Sequence, residues 1–228
     1  MIFSAKYLVD YNKMQPHLLY QIDEKNSKIT FREEQSKHIV NIIYNLKNDE
    51  YGYFGNEFRP NYISKKCPDI GKAVDLLCII IDENLNKTST YLYDIKETFE
   101  GVDVIEKGLK QIQASINHAD SLLAYFKQFD NQKKIGIITG SFDENRIQRY
   151  IDRQKAVLEQ AEKEEKLMPP MVVYKFKTQN VEIEKKIEMM ENVLKRKVEI
   201  LGENYELDIR ISNKEDDTYI YDLDICLL

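Results

Sequence analysis

The sequence has few of the residues that build zinc sites. Its 228 residues include only three cysteines and three histidines, and no pair of them has the spacing of metal ligands. Cys78 and Cys226 lie in apolar runs, so we expect them to be buried free thiols. This composition argues against a zinc site.

Long apolar runs are also missing. No window of about eighteen consecutive apolar residues occurs, so we expect no membrane span. The first residues, MIFSAKYLVDYNK, carry an acid and lysines too early for a secretory signal, which predicts a cytoplasmic protein. The chain is long enough to form a single domain over residues 1–228 with a substantial core.

The sequence shows no excess of positive charge and none of the common phosphate-binding or hydrolase motifs. Its net charge is -6, whereas a general nucleic-acid binder is usually basic. The patterns G-x-G-x-x-G, Walker A, G-x-S-x-G and H-E-x-x-H do not occur. An acidic total still permits a local basic groove. A charged helix predicted over 142–166 usually presents a solvated face, but it carries candidate phosphate contacts at Arg146, Arg149, Arg153 and Lys155.

Strand and helix patterns alternate along the rest of the chain. A capping box at Thr30 and Glu33 predicts a helix from residue 30 to about residue 46, and a long loop with at most one short strand follows over 48–71. The stretches AVDLLCIIID and TSTYLYDIK predict a β-hairpin. The other predicted elements are a helix over 103–127, a strand over 134–141, the charged helix, a strand over 171–177, a helix over 181–198 and two closing strands. This order is typical of an α/β or α+β fold with a mixed sheet.

Three charged residues at the ends of the hairpin strands form the candidate site. Asp94 and Lys96 are two positions apart, so they point to the same face of a strand. In an antiparallel hairpin the numbers of two directly opposed residues have a constant sum, which defines the register. If that sum is 169 or 171, Asp75 on the other strand shares the face of Asp94 and Lys96. A buried ionised acid needs a partner, which is either Lys96 in a structural ion pair or a divalent metal shared with Asp94. The alternative is that Asp94 and Lys96 form a solvated surface pair of little consequence.

Asp75, followed nineteen residues later by Asp94-Ile95-Lys96 on a hairpin before a long helix, resembles the PD-(D/E)xK superfamily of restriction-endonuclease-like nucleases. The resemblance implies an α/β fold with a restriction-endonuclease-like core over about 30–141, in which helices flank a central mixed sheet. N-terminal strands and a C-terminal α+β extension over about 142–228 would complete it. The resemblance also implies that Asp75, Asp94 and the Ile95 carbonyl hold Mg²⁺, with Mn²⁺ as a substitute, and that Lys96 is the catalytic lysine.

The resemblance suggests further site positions. The family often uses a glutamine from the helix after the hairpin, and Gln111 is preferred over Gln113 because of its side of the apolar stripe. Glu34 is the candidate for an additional acid from the preceding helix. The Pro-Asp that gives the family its name occurs here at residues 68–69. Because the family acid lies in or at the start of the strand, Asp75 is favoured and Asp69 is the substitute.

The function implied by the resemblance is that of a metal-dependent endonuclease that hydrolyses phosphodiester bonds. DNA is favoured over RNA as the substrate by analogy alone. Such enzymes serve restriction, anti-phage defence or repair. The alternative is a catalytically inactive nuclease-fold subunit that binds or assembles within a nucleic-acid-processing complex. A homodimer, or a partner protein of a defence system, is compatible with either function.

Overall fold

The structure, a computed structural model, describes residues 20–23, 27–33, 35–46, 50–55, 72–82, 84–124, 130–165 and 170–226. These residues form eleven strands and three helices. In chain order the elements are β1 (Tyr20–Asp23), β2 (Lys28–Glu33), β3 (His38–Tyr44), β4 (Glu50–Gly55), β5 (Leu76–Asp82), β6 (Lys87–Thr98), α1 (Val102–Leu123), β7 (Asp130–Ser141), α2 (Glu144–Glu165), α3 (Pro170–Leu194), β8 (Lys197–Ile200), β9 (Glu203–Ile211), β10 (Asn213–Glu215) and β11 (Thr218–Ile225).

The elements form a mixed α/β fold with two mixed sheets. The six-stranded sheet has the order β4-β5-β6-β7-β9-β8, in which β6, β7 and β9 are parallel. The five-stranded sheet has the order β1-β2-β3-β11-β10, in which β3 and β11 are parallel. In this sheet β11, from the C-terminal part of the described residues, lies between β3 and β10.

The middle of the six-stranded sheet is covered on both faces. Leu77 and Ile79 of β5 pack into a core cluster with the helices, whereas Leu76 and Cys78 pack against the inner face of the five-stranded sheet. This division follows the alternation of side chains along a strand. All seven residues of β5 are buried. The prediction of a strand buried on both faces, made from the continuous apolar run, is confirmed.

The helix predicted over 30–46 is wrong, because the chain forms the antiparallel strands β2 and β3 in this region. The apolar residues that suggested helical spacing are mostly β-branched, which favours extended backbone. Asn41 fixes the pairing, because it accepts a hydrogen bond from Thr30 on β2 at 3.0 Å and donates one to Asp222 on β11 at 2.6 Å. Glu33 therefore ends a strand and caps no helix.

The strand predicted over 171–177 is also wrong, because α3 begins at Pro170 and continues to Leu194. Proline is well tolerated in the first turn of a helix, where its missing N–H is not needed. The β-branched and aromatic residues of MVVYKFK suggested a strand, but the helix includes them. The helices predicted over 103–127 and 142–166 correspond to α1 and α2. None of the helices that the structure describes is long and apolar enough to cross a membrane.

The two described cysteines have different surroundings. Cys78 is buried, and burial raises the pKa of its thiol to about 12, which makes it unreactive. Cys226 was predicted to be buried, but it is exposed because it directly follows the last residue of β11.

Candidate active site

The register of the hairpin brings the two predicted acids to one face of the six-stranded sheet. β5 and β6 pair antiparallel, and paired residue numbers, such as those of Leu76 and Tyr93, sum to 169. This register places Asp75, in a bend just before β5, beside Asp94. The Ile95 N–H donates a hydrogen bond to Oδ2 of Asp75 at 2.7 Å. The prediction that both acids share one face is therefore confirmed.

Side chains from α1 hold the backbone just before Asp75. The Gln111 amide donates from Nε2 to the carbonyl of Ala73 at 2.8 Å. The hydroxyl of Ser115, four residues further along the helix, accepts a hydrogen bond from the Val74 N–H at 2.8 Å. These contacts satisfy buried backbone groups that lie before the strand ladder begins. α1 therefore determines the position at which Asp75 enters the site.

A glycine in α1 makes room for the carboxylate of Asp94. A Cβ atom built on Gly108 would lie 3.2 Å from Oδ2 of Asp94, 3.3 Å from the ring of Phe99 and 3.4 Å from Ile137. Any side chain at this position would therefore press on the carboxylate. Gly108, Gln111 and Ser115 are three and four residues apart, so they form one face of the helix above the acids.

Asp75, Asp94 and Lys96 form one polar cluster beneath this helix face. Asp94 is fully buried and Asp75 is 8% exposed. Nζ of Lys96 lies 2.6 Å from Oδ2 of Asp94 and donates a hydrogen bond to the Ile95 carbonyl at 3.2 Å. The contact with Asp94 is an ion pair and not a well-directed hydrogen bond. Neither carboxylate oxygen of Asp94 accepts a well-directed hydrogen bond from the described part of the chain.

Burial raises the pKa of both carboxyl groups. The pKa of Asp75 lies well above its usual value, first because of burial and then because of the nearby negative charge of Asp94. The pKa of Asp94 is also raised by burial, and the ammonium of Lys96 opposes this shift. The two carboxyl groups are within hydrogen-bonding reach of each other. When all three groups are ionised, negative charge exceeds positive charge, so the cluster needs either a proton on Asp75 or another cation.

A cleft of about 300 Å³ opens over this cluster. Four predicted site residues line it, namely Asp75, Ile95, Lys96 and Gln111, whereas the buried Asp94 does not. It is also lined by Glu33, Gln35, Ser36, Glu97 and Lys107. Glu33 was missed because it was assigned to a helix cap. Lys107 lies four residues before Gln111, so the spacing of one helical turn could have identified it.

The remaining predicted positions are either exposed or not described by the structure. Gln113, the alternative to Gln111, is exposed. Glu34 and Asp69 lie outside the described residues. Within the described ranges, no three histidine, cysteine, aspartate or glutamate side chains group together as metal ligands would. The oxygen donors of the cluster are therefore two carboxylates and one backbone carbonyl.

Comparison with family models, with curated proteins and with solved structures finds no match for this chain.

Proposed function

We propose that the protein is a metal-dependent nuclease that hydrolyses phosphodiester bonds, with DNA favoured over RNA. One observation carries the proposal: two buried acids and a lysine converge at one end of a hairpin, and Asp75 and Lys96 border an open cleft. A purely structural ion pair needs one acid and one base, and here a second buried acid is present. A divalent cation and a phosphate would make use of that second acid.

The donor chemistry of the cluster suits Mg²⁺. Mg²⁺ prefers oxygen ligands and is usually held in proteins by only one or two carboxylates together with water and phosphate. Asp75, Asp94 and the Ile95 carbonyl would hold it. Oδ2 of the buried Asp94 already pairs with Nζ of Lys96 at 2.6 Å, so its Oδ1, which accepts no well-directed hydrogen bond from the described residues, is the oxygen expected to bind a further cation. Mn²⁺ is expected to substitute.

Each residue of the cluster has a distinct role in the proposed reaction. When bound, the metal supplies positive charge to the phosphate and lowers the pKa of a water molecule. Lys96, whose side chain is 15% exposed and borders the cleft, would orient the attacking water and donate to a phosphate oxygen. Gln111 keeps the chain before Asp75 in place. Lys107 adds positive charge at the rim of the cleft.

We propose that β5, β6, α1 and β7 correspond to a restriction-endonuclease-like core. The supporting observation is the order of elements: an antiparallel hairpin, a long helix and then β7, which pairs in parallel with β6. The acids lie on the sheet face that this helix covers. Restriction, anti-phage defence and repair are roles that such a nuclease could serve.

A second candidate function is a catalytically inactive subunit that binds or assembles with partners. The raised pKa of Asp75 favours it, because a proton held between the two acids balances the cluster together with Lys96. In that state no metal is needed. The net charge of -6 also argues against general binding to nucleic acid.

Cleavage of plasmid and single-stranded DNA tests the proposal. The purified protein is incubated with Mg²⁺, Mn²⁺ or EDTA, beside Lys96→Ala and Lys96→Arg. Arginine keeps a positive charge for Asp94 but changes its geometry, so this variant should fold and still lose cutting. Lys87→Ala is the matched control, because Lys87 begins the same strand about 30 Å from Lys96.

Cutting that requires metal, disappears in both Lys96 variants and persists in Lys87→Ala would support the nuclease. The same cleavage assay with RNA of the same sequence shows whether DNA or RNA is the substrate. Failure to cut any nucleic acid with either metal would overturn the proposed function and favour the inactive subunit.

A further inference from the structure

A second and larger groove lies beside the start of α1 and carries a row of arginines. Its volume is about 760 Å³. Arg146, Arg149 and Arg153 of α2 line it together with Tyr150 and with Lys186 of α3. Three acids line it as well, namely Glu100, Asp103 and Asp143. The α2 residues are spaced by three, one and three positions, so they share one face of the helix. The three guanidinium groups extend along about 10 Å of the helix axis.

The positive charge in this groove is only partly neutralised. Arg146 pairs with Glu100 at 2.9 Å, and Arg149 lies 3.9 Å from Asp143. The side chains of Arg146 and Arg149 are still about two-thirds exposed. Among the described residues, Arg153 and Lys186 form no ion pair, although Lys186 exerts a long-range attraction on Glu106. The four cations of the groove outnumber its three acids, so in a chain of net charge -6 the groove is a locally positive patch that attracts anions.

Neighbouring residues of α1 line the groove and the active-site cleft. Asp103 lines the groove, whereas Lys107 and Gln111 line the cleft. These three residues are four apart, so they form a row on one face of the helix, with about 6 Å between neighbours. A linear chain lying along this row would pass from the cleft into the groove. Small anions do not need two sites in a row, but a polymer of phosphates does.

We infer that the groove binds the phosphate backbone of the nucleic-acid strand next to the bond that is cut. This inference rests on the proposed function, because the strand in the groove is the continuation of the strand in the cleft. About 10 Å of arginine-lined helix covers about three phosphates of a B-form strand, which are 3.4 Å apart along the axis. Tyr150, between the arginines, offers a ring on which a base can stack.

Binding measured without cutting tests this inference. Fluorescence anisotropy in EDTA measures how tightly the protein binds a labelled oligonucleotide that is long enough to reach from the cleft across the groove. The oligonucleotide is tested as single-stranded DNA, as duplex DNA and as RNA. The groove variant is Arg149→Ala with Arg153→Ala. The matched control, Lys155→Ala with Lys163→Ala, removes the same charge from positions of α2 that do not line the groove. Thermal melts show that both variants are folded.

The groove variant should bind roughly tenfold or more weakly, and its slope of log affinity against log salt should fall by about two. The control should keep the slope of the wild type. Metal-dependent cutting by the groove variant should recover at high protein concentration, unlike cutting by the Lys96 variants. Equal losses in the groove variant and the control, or no binding by the wild type, would overturn the inference.

Failure of the proposed nuclease gives a different pattern. In that case the wild type binds nucleic acid and the groove variant does not, but no metal supports cutting. The groove would then stand as the binding surface of an inactive subunit. If the wild type cuts nucleic acid but the groove variant binds it as tightly as the wild type does, the role of the groove is refuted and the proposed nuclease activity is not.

Discussion

Asp75→Asn is expected to stabilise the metal-free protein at neutral pH. Asparagine has the shape of aspartate, and its oxygen can accept the hydrogen bond that the Ile95 N–H now donates at 2.7 Å. Its amide can also donate to Asp94, as a protonated Asp75 would. The substitution removes only the ionisable group. Because that group has a raised pKa in the folded protein, its ionisation opposes folding.

The sign of the pH dependence follows from proton binding. The folded protein keeps the proton on Asp75 at a pH where the unfolded chain has lost it. Stability of the wild type therefore falls as pH rises above the usual aspartate pKa of about 4, until Asp75 ionises in the folded state as well. The variant lacks this decline. The two proteins should have nearly equal stability in acid and should diverge toward neutral pH.

The gain should grow with the difference in the pKa of Asp75 between the folded and unfolded states, because each unit of raised pKa corresponds to about 1.4 kcal/mol. For a chain of this length, 1 kcal/mol changes Tm by about 2–4 °C, so Tm in EDTA should rise measurably. Mg²⁺ at a hundred times its Kd would add about 2.7 kcal/mol to the wild type. It would add nothing to the variant. Because this Mg²⁺ term grows with the Mg²⁺ concentration, the order of stability should reverse once it exceeds the advantage of the variant.

Thermal and urea melts in EDTA and in Mg²⁺ measure both effects. Asp217→Asn is the control, since it makes the same substitution at an exposed turn residue whose φ is not positive. A variant that is less stable than the wild type in EDTA would refute the argument that ionised Asp75 opposes folding. A Mg²⁺ shift that persists in the variant would show that the metal does not bind at Asp75.

Two further substitutions test how α1 positions the acids. Gly108→Ala gains up to about 1 kcal/mol of helix propensity, offset by a Cβ 3.2 Å from Oδ2 of Asp94. Its Tm in EDTA should stay close to that of the wild type while the Mg²⁺ shift shrinks, and an unchanged Mg²⁺ shift would argue against a positioning role. Ser115→Ala leaves the buried Val74 N–H without its acceptor, which should lower the free energy of unfolding by about 1–3 kcal/mol in urea melts. A loss below about 0.5 kcal/mol would mean that another group takes over this hydrogen bond.

The hairpin was predictable because its information is local. The apolar run of β5 and the β-branched and aromatic residues of β6 predict two strands. The short turn between them allows only a few registers, each defined by the sum of the numbers of two paired residues. One of the two sums that bring Asp75 and Asp94 together is the observed one. The spacing of Asp94 and Lys96 then places both on one face.

Strands β2 and β3 were not predictable in the same way. The partner of β3 is β11, and the hydrogen bond between Asn41 and Asp222 joins residues 181 positions apart in the chain. The residues around Asn41 give no sign that this segment pairs with β11. The spacing of the apolar residues therefore favoured a helix. The error spread to the site, because Glu33 was assigned to a cap. In the structure Glu33 lies at the end of β2 and lines the cleft.

The role of Gly108 also depends on tertiary structure. The sequence shows that Gly108 and Gln111 lie on the same side of a helix, but it does not show how closely that helix approaches β6. The structure shows that a Cβ at residue 108 would crowd the carboxylate of Asp94. This close packing arises only when α1 and β6 come together in the folded protein, so the sequence of neither element predicts it.

The two candidate functions differ in what balances the charge of the second buried acid. In the inactive subunit a proton on Asp75 balances it, and in the nuclease a divalent cation does so. Removing the whole side chain in Asp75→Ala cannot separate them, because it also deprives the Ile95 N–H of its acceptor, and both functions then predict a loss of stability. Asparagine keeps the hydrogen bond and imitates the protonated acid, so it preserves the inactive state and removes only the metal site. Of the two candidate functions, only the nuclease therefore predicts that the order of stability of the wild type and Asp75→Asn reverses between EDTA and Mg²⁺.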